Sequence, residues 1–295
     1  MTSTLLKLFI AITSRLPLPL ARLLGRLAGE VSWRLNTRAR FITSINLELC
    51  FPGMDGRARE RLARSSLQHW GMTIFEIPVI WHRGLKALDL IGDVHGEDKV
   101  RRQLASGKGT IMLSPHLGNW ELAGLWASTL GPTTILYQPP RQQGVEHITR
   151  VGRAKAGATL VPTNLRGVSA LIKALKRGEI TGILPDMEPD PASGVFAPFF
   201  GVPALTMTLV HNLQERSGAG VLLAFARRTA AGFDIEILEP EPALYDPDAA
   251  TSVAALNRLV ERSVEMAPEQ YQWEYKRFKQ QPDGQPKRYP RHSRK

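Results

Sequence analysis

Along the stretch from Val168 to Leu175, apolar side chains fall at Val168, Leu171, Ile172 and Leu175, and Lys176, Arg177 and Gly178 follow. Positions i, i+3, i+4 and i+7 share one face of a helix; the cations suit its carboxyl-terminal dipole and the glycine ends it. Leu256, Leu259, Val260 and Val264 repeat the pattern, with Thr251 or Ser252 as the expected cap. Residues 56–83, where Arg57, Arg59, Arg61 and Arg64 are mixed with Leu62, Leu67 and Trp70, also read as helix. From Thr110 onward, β-branched or apolar runs of strand length appear at 110–114, 133–138, 159–163, 181–186, 221–227 and 233–238. In the last of these, Phe233, Ile235 and Ile237 alternate with Asp234 and Glu236, which predicts a half-exposed strand near a sheet edge. Strand and helix alternate along this part of the chain, so the expected fold is α/β, a central largely parallel sheet flanked by helices on both faces.

The amino terminus follows another rule. Residues 5–35 are mostly apolar, yet Lys7, Arg15, Arg22 and Arg26 interrupt them, and Pro17 and Pro19 divide any helix in two. No uncharged run reaches the ~18 to 20 residues of a bilayer span, and the layout is not that of a signal peptide. On an ideal helix the four cations fall within about 100° of arc, a pattern suited to helices lying in a membrane interface. A helical hairpin packed on the protein's own core is the alternative. The expected organisation is a membrane-anchoring helical segment over 1–40, one catalytic domain over 41–280, and a basic, fraying tail over 281–295.

Composition narrows the partners. The chain of 295 residues is 43% apolar and carries 38 Lys and Arg against 27 Asp and Glu, a net charge of +11. That is enough apolar material for a large core, and the charge draws the protein toward something anionic. The lone cysteine, Cys50, excludes an internal disulfide and a thiolate zinc cluster. The basic residues are spread rather than interleaved with stacking aromatics, so nucleic acid is not expected. The segment Gly107-Lys108-Gly109-Thr110 lacks the first glycine of a phosphate loop, Arg102 standing there. The run from Asp186 to Asp190 begins like a calcium loop, but Pro191 and Ala197 occupy positions that must be glycine and acid. There is no HExxH helix and no G-x-S-x-G elbow, and no metal site is expected.

Candidate chemistry concentrates in Ser114-Pro115-His116-Leu117-Gly118-Asn119-Trp120-Glu121. It follows the 110–114 strand, and active residues of α/β sheets gather past the carboxyl ends of strands. On one continuous helix His116 and Glu121 would lie about 140° apart, so they meet only if His116 stands in the turn before the helix and folds back, a bend Gly118 permits. A carboxylate-held imidazole is a general base for a hydroxyl. A capping or core histidine beside a solvated first-turn acid is the other reading.

His116-Leu117-Gly118-Asn119-Trp120-Glu121 is joined by further stretches: Asn46 to Pro52, Leu184-Pro185-Asp186, Gly194 to Gly201, Pro268 to Trp273, and Arg277-Phe278-Lys279. Together these resemble the bacterial lipid A late acyltransferases, the lauroyl and myristoyl transferases of the wider lysophospholipid acyltransferase superfamily. The likeness spans nearly the whole chain. It implies transfer of a fatty acyl chain from an acyl-carrier-protein thioester, with no separate cofactor, to a hydroxyl of a lipid A precursor at the cytoplasmic face of the inner membrane. Within it, His116 would be the general base and Glu121 would orient it. Arg153 matches an important family arginine and would hold a lipid phosphate or the developing oxyanion; Asp186 and Asn119 would contribute to substrate binding. Tyr137-Gln138-Pro139-Pro140 departs from the family's usual Tyr-Arg-Pro, leaving Arg141 to substitute. Phe196, Phe199 and Phe200 line an acyl channel on this reading, or are core. Another lipid acceptor, such as a lysophospholipid, ornithine lipid or glycolipid, and a non-catalytic basic binding protein are the competing readings.

Overall fold

The computed structural model describes residues 3–137 and 157–290. Among these, four helices come first: α1 (Ser3–Thr13), α2 (Leu18–Arg34), α3 (Arg38–Cys50) and α4 (Gly56–Arg83). A sheet with interleaved helices follows: β1 (Ile91–His95), α5 (Glu97–Ala105), β2 (Thr110–Leu113), α6 (Trp120–Ala127), β3 (Thr133–Tyr137), β4 (Thr159–Pro162), α7 (Leu165–Lys176) and β5 (Ile180–Ile183). The hairpin β6 (Gly194–Phe199) and β7 (Val202–Met207) precedes α8 (Leu209–Ser217), β8 (Gly220–Arg228), β9 (Phe233–Leu238) and α9 (Ala249–Met266).

The described strands of the main sheet run in the order β1-β9-β8-β2-β5-β3-β4, parallel at every pairing except β8 with β9. Side chains of a strand alternate between faces, and each face has its own core. Ile111, Leu113, Val221, Leu223 and Phe225 pack with Leu171 and Leu175 of α7 and Leu256 and Leu259 of α9. Met112, Leu222, Ala224 and Ala226 pack with Leu122 and Trp126 of α6 and Ile80 of α4. Helices therefore cover both faces, as the strand and helix alternation predicts.

The amino-terminal segment divides at the prolines into α1 and α2. No described helix is long and apolar enough to cross a membrane. The hairpin alternative holds for one side of α2, which lies so tightly on α4 that a Cβ on Gly71 would come 2.1 Å from the carbonyl oxygen of Gly25. Arg22 also turns inward, donating to Glu76 at 2.7 Å and to the carbonyl oxygens of Thr229 and Gly232. Of the four cations expected on one arc, Lys7, Arg15 and Arg26 remain exposed.

Several local expectations change. The 233–238 strand lies near a sheet edge as expected, one strand in, because β1, which lacks a clear apolar pattern, forms the edge itself. Its acids are not solvated: Arg227 on β8 binds Asp234 at 3.0 Å and Glu236 at 2.8 Å across the antiparallel pair. Asp248, not Thr251 or Ser252, caps α9, accepting the Thr251 N–H at 2.9 Å. The tail is tied down as far as residue 290, since the Tyr289 hydroxyl accepts from the Phe278 N–H and donates to Asn46. Phe199 is a core residue and Phe200 packs 5.0 Å from Phe51, so the core reading holds for these two rings, while Phe196 is exposed.

Candidate active site

Two adjacent parallel strands set the site. In the β2–β5 pair Leu113 stands opposite Ile183, and His116 and Asp186 each lie three residues further on. Both therefore emerge at the carboxyl edge of the sheet, side by side. The loop from Ser114 to Asn119 is fixed by its own backbone: the Leu117 N–H turns back to the Pro115 carbonyl at 2.7 Å, and Gly118 takes φ +60°. A Cβ at Gly118 would stand 2.1 Å from the Ala226 carbonyl oxygen, so only glycine lets the loop cross β8 here.

Asp186 grips His116 twice. Its Oδ2 accepts the His116 backbone N–H and its Oδ1 meets Nδ1, both at 2.8 Å. Burial alone would raise the Asp186 pKa, but the charge and hydrogen bonds of His116 outweigh it and hold the carboxyl below the usual aspartate range. An ionised carboxylate only accepts, so Nδ1 carries the hydrogen, and in the neutral imidazole the lone pair is on Nε2. Nε2 takes no hydrogen bond among the described residues. Trp120 packs against the imidazole with ring centroids 4.8 Å apart, and Tyr271 lies buried against Asp186, its hydroxyl pKa raised well above the usual value by burial first and by that charge next.

The carboxylate brought to Nδ1 is thus Asp186 rather than Glu121. Glu121 is buried in the first turn of α6 and accepts the Trp81 indole N–H at 2.9 Å. Asn119, expected at the substrate, is fully buried. Its Oδ1 caps α6 by accepting the Leu122 N–H at 3.1 Å, and its Nδ2 donates to Glu76 at 3.3 Å. Arg153, Gln138, Pro139, Pro140 and Arg141 lie outside the described residues.

An apolar pocket opens beside this pair. Ile80, Trp81, Leu125, Ile135, Ile183 and Leu184 form its wall, and Ser114, Trp120 and Glu121 border it. The Ser114 hydroxyl is buried with no partner among the described residues.

Comparison with known proteins places this geometry. Residues 2–280 match the model of the family described as bacterial lipid A biosynthesis acyltransferase. The chain belongs to this family. It is 31% identical over 278 residues to the lipid A biosynthesis lauroyltransferase of Escherichia coli (strain K12), covering 93% of this chain and 90% of that one. It is 30% identical over 279 residues to the palmitoleoyltransferase of the same organism, with the same coverage. It is 25% identical over 278 residues to the myristoyltransferase, covering 92% of this chain and 84% of that one.

In this acyltransferase the other resembling stretches meet in space to support the histidine loop. The segment Pro268 to Trp273 runs beside it: the Gln272 N–H donates to the His116 carbonyl at 3.0 Å and the Gly118 N–H to the Gln270 carbonyl at 3.1 Å. Asn46 on α3 pins that segment, donating to the carbonyls of Trp273 and Tyr275 at 2.6 and 2.7 Å. Phe51 and Phe200 pack on Trp273 at 5.6 and 6.1 Å. Arg277, buried over the Phe199 ring, holds β7 through the Leu205 carbonyl and the Thr206 hydroxyl. Trp81, Trp120 and Tyr271 were absent from the expected site. Trp120 was the accessible one, being next to Glu121 in sequence; Tyr271 lay within the resembling stretch Pro268 to Trp273 with no role attached, and Trp81 on α4 carries no local signal.

Proposed function

We propose that the protein transfers a fatty acyl chain from an acyl-carrier-protein thioester to a hydroxyl of a lipid A precursor, with His116 as general base. The observation that carries this reading is the Nδ1 of His116 anchored by Asp186, which leaves Nε2 for the acceptor hydroxyl on an imidazole that packs against Trp120, a wall residue of the apolar pocket. The acceptor hydroxyl gives its proton to Nε2 as its oxygen attacks the thioester carbonyl carbon. The tetrahedral intermediate then expels the thiolate, the C–S bond breaks, and the imidazolium returns the proton to sulfur. Asp186 keeps the tautomer and stabilises the imidazolium. Glu121, one residue from the ring-packing Trp120, holds the pocket wall through Trp81.

Oxyanion stabilisation cannot come from the loop backbone. The N–H groups of Ser114, His116, Leu117, Gly118 and Asn119 are all spent, on Ile183, Asp186, Pro115, Gln270 and Ala226. Ser114, whose hydroxyl is unpartnered and borders the pocket, is a described side chain free to donate. Arg153 keeps its proposed role at a lipid phosphate or the oxyanion. The apolar pocket takes the acyl chain, each buried methylene contributing about 0.8 kcal/mol.

Membrane-surface docking is part of the same reading. Leu5, Leu8 and Ile12 on α1 and Leu20, Leu23, Leu27 and Val31 on α2 are all exposed, beside the exposed cations Lys7, Arg15 and Arg26. That combination fits an anionic interface at the cytoplasmic face of the inner membrane. Purified protein incubated with lauroyl-acyl carrier protein and a tetraacylated lipid A precursor is expected to yield an acylated product by mass spectrometry, with His116→Ala at least ~10²-fold slower. Transfer to lysophosphatidate and none to the lipid A precursor would reject the acceptor.

A further inference from the structure

A second carboxyl group stands at the histidine loop, and nothing above uses it. Glu274 lies two residues beyond Gln272, whose N–H is bonded to the His116 carbonyl, and the carbonyls flanking it, those of Trp273 and Tyr275, are held by Asn46. Its backbone is therefore fixed relative to the imidazole. Part of the residue reaches solvent, but both carboxyl oxygens are shielded and take no hydrogen bond among the described residues. The Trp70 indole from α4 and the Gln272 amide from its own segment approach it without hydrogen-bond geometry; the titratable group within electrostatic reach on the β2–α6 loop is His116, whose Nδ1 is bound to Asp186.

Burying a carboxyl without hydrogen-bond partners is costly, and a leucine of similar size would avoid that cost. A carboxyl group that makes no hydrogen bond among the described residues, yet lies within electrostatic reach of the reactive imidazole, points to a role in the reaction. We propose that Glu274 is a positioning residue for acyl transfer, a second carboxyl group that acts on His116 through its charge and strengthens its hold on the proton taken from the acceptor hydroxyl. The proposal rests on the reading of His116 as general base.

The two carboxyls then divide the work. Asp186 is a fixed negative charge, held ionised by its hydrogen bonds to His116. Glu274 is a variable one: burial pushes its pKa up to about 7, so it changes charge near neutral pH. Ionised, it favours the imidazolium; neutral, it does not.

The test is the histidine titration of the full-length protein in detergent, followed by NMR on ring-labelled histidine, with His116 assigned by comparison with His116→Gln. Glu274→Gln keeps the side-chain volume and removes the charge. It is expected to lower the proton affinity of His116 on the order of tenfold, the effect of a nearby unit charge in a partly desolvated site. Glu274→Asp is expected to retain most of the wild-type value. In the transfer assay Glu274→Gln is expected to lose the increment in kcat/KM that wild type gains as pH rises through about 7, with KM for the acceptor unchanged. A His116 titration in Glu274→Gln that superimposes on wild type overturns the proposal. If the titration moves but wild type transfers nothing to the lipid A precursor, the coupling stands and the acceptor assignment fails.

Discussion

Replacing Asp186 with asparagine tests the general-base arrangement at its anchor. The exchange preserves shape but converts one of two accepting oxygens into a donating NH₂. Asp186 now accepts from two His116 donors, the backbone N–H and Nδ1, each at 2.8 Å. The backbone N–H cannot turn away, so the amide oxygen of the variant stays with it and the NH₂ group faces Nδ1. That stabilises the tautomer with hydrogen on Nε2, which has no lone pair left for the acceptor hydroxyl. The corresponding exchange in a serine-protease triad costs about 10⁴ in rate. With the imidazole here also held by Trp120, a loss of about 10² to 10⁴ in kcat is expected, or about 3 to 5 kcal/mol at 1.36 kcal/mol per tenfold. The assay is initial-rate acyl transfer at saturating acceptor, with circular dichroism and thermal unfolding as controls for folding. A folded variant with kcat within about threefold of wild type would refute the tautomer argument.

Three further outcomes follow from the packing and the charges. Gly118→Ala places a Cβ 2.1 Å from the Ala226 carbonyl oxygen at φ +60°; overpacking and backbone strain together should cost roughly 2–5 kcal/mol in denaturant unfolding and displace His116. Glu76→Gln strands Arg22 and Arg228, both bound to that buried carboxylate at 2.7 Å, and should destabilise by roughly 3–5 kcal/mol; wild-type stability in the variant would disprove that account of the cluster. Stability should also respond to pH in opposite senses at the two active-site acids. The lowered pKa of Asp186 gives stability that is present above the ordinary aspartate range and is lost as pH falls through the folded value. The raised pKa of Glu274 makes the native state bind the extra proton, so stability declines from about pH 4.3 up to about 7 and then levels. Glu274→Gln should abolish only the second slope, measured as unfolding midpoints at a series of pH values.

The sequence by itself determined the elements and their chemistry. Apolar spacing of 3.6 and strand-length runs located α4, α7, α9 and the β2, β3, β5, β8 and β9 segments, because each buries residues that local pattern records, and the run at β4 was legible although that edge strand buries none of its residues. His116 after β2 and Asp186 after β5 were both legible as strand-end residues. What local pattern could not supply was adjacency. Strands β3 and β4 lie between β2 and β5 in the chain, yet β5 inserts beside β2, and only that register sets Asp186 against His116 while Glu121 turns to Trp81. The same holds for β9, whose alternating acids read as solvated until β1 covered its edge and Arg227 bound them. Phe199 and Phe200 looked like channel walls until Phe51 and Trp273 closed over them, and Glu274 became visible as a dry carboxyl only when the carboxyl-terminal segment came to rest beside the histidine loop. Long-range pairing decides these features, because a side chain's partner across a sheet is fixed by register and strand order, and neither is written in the residues next to it.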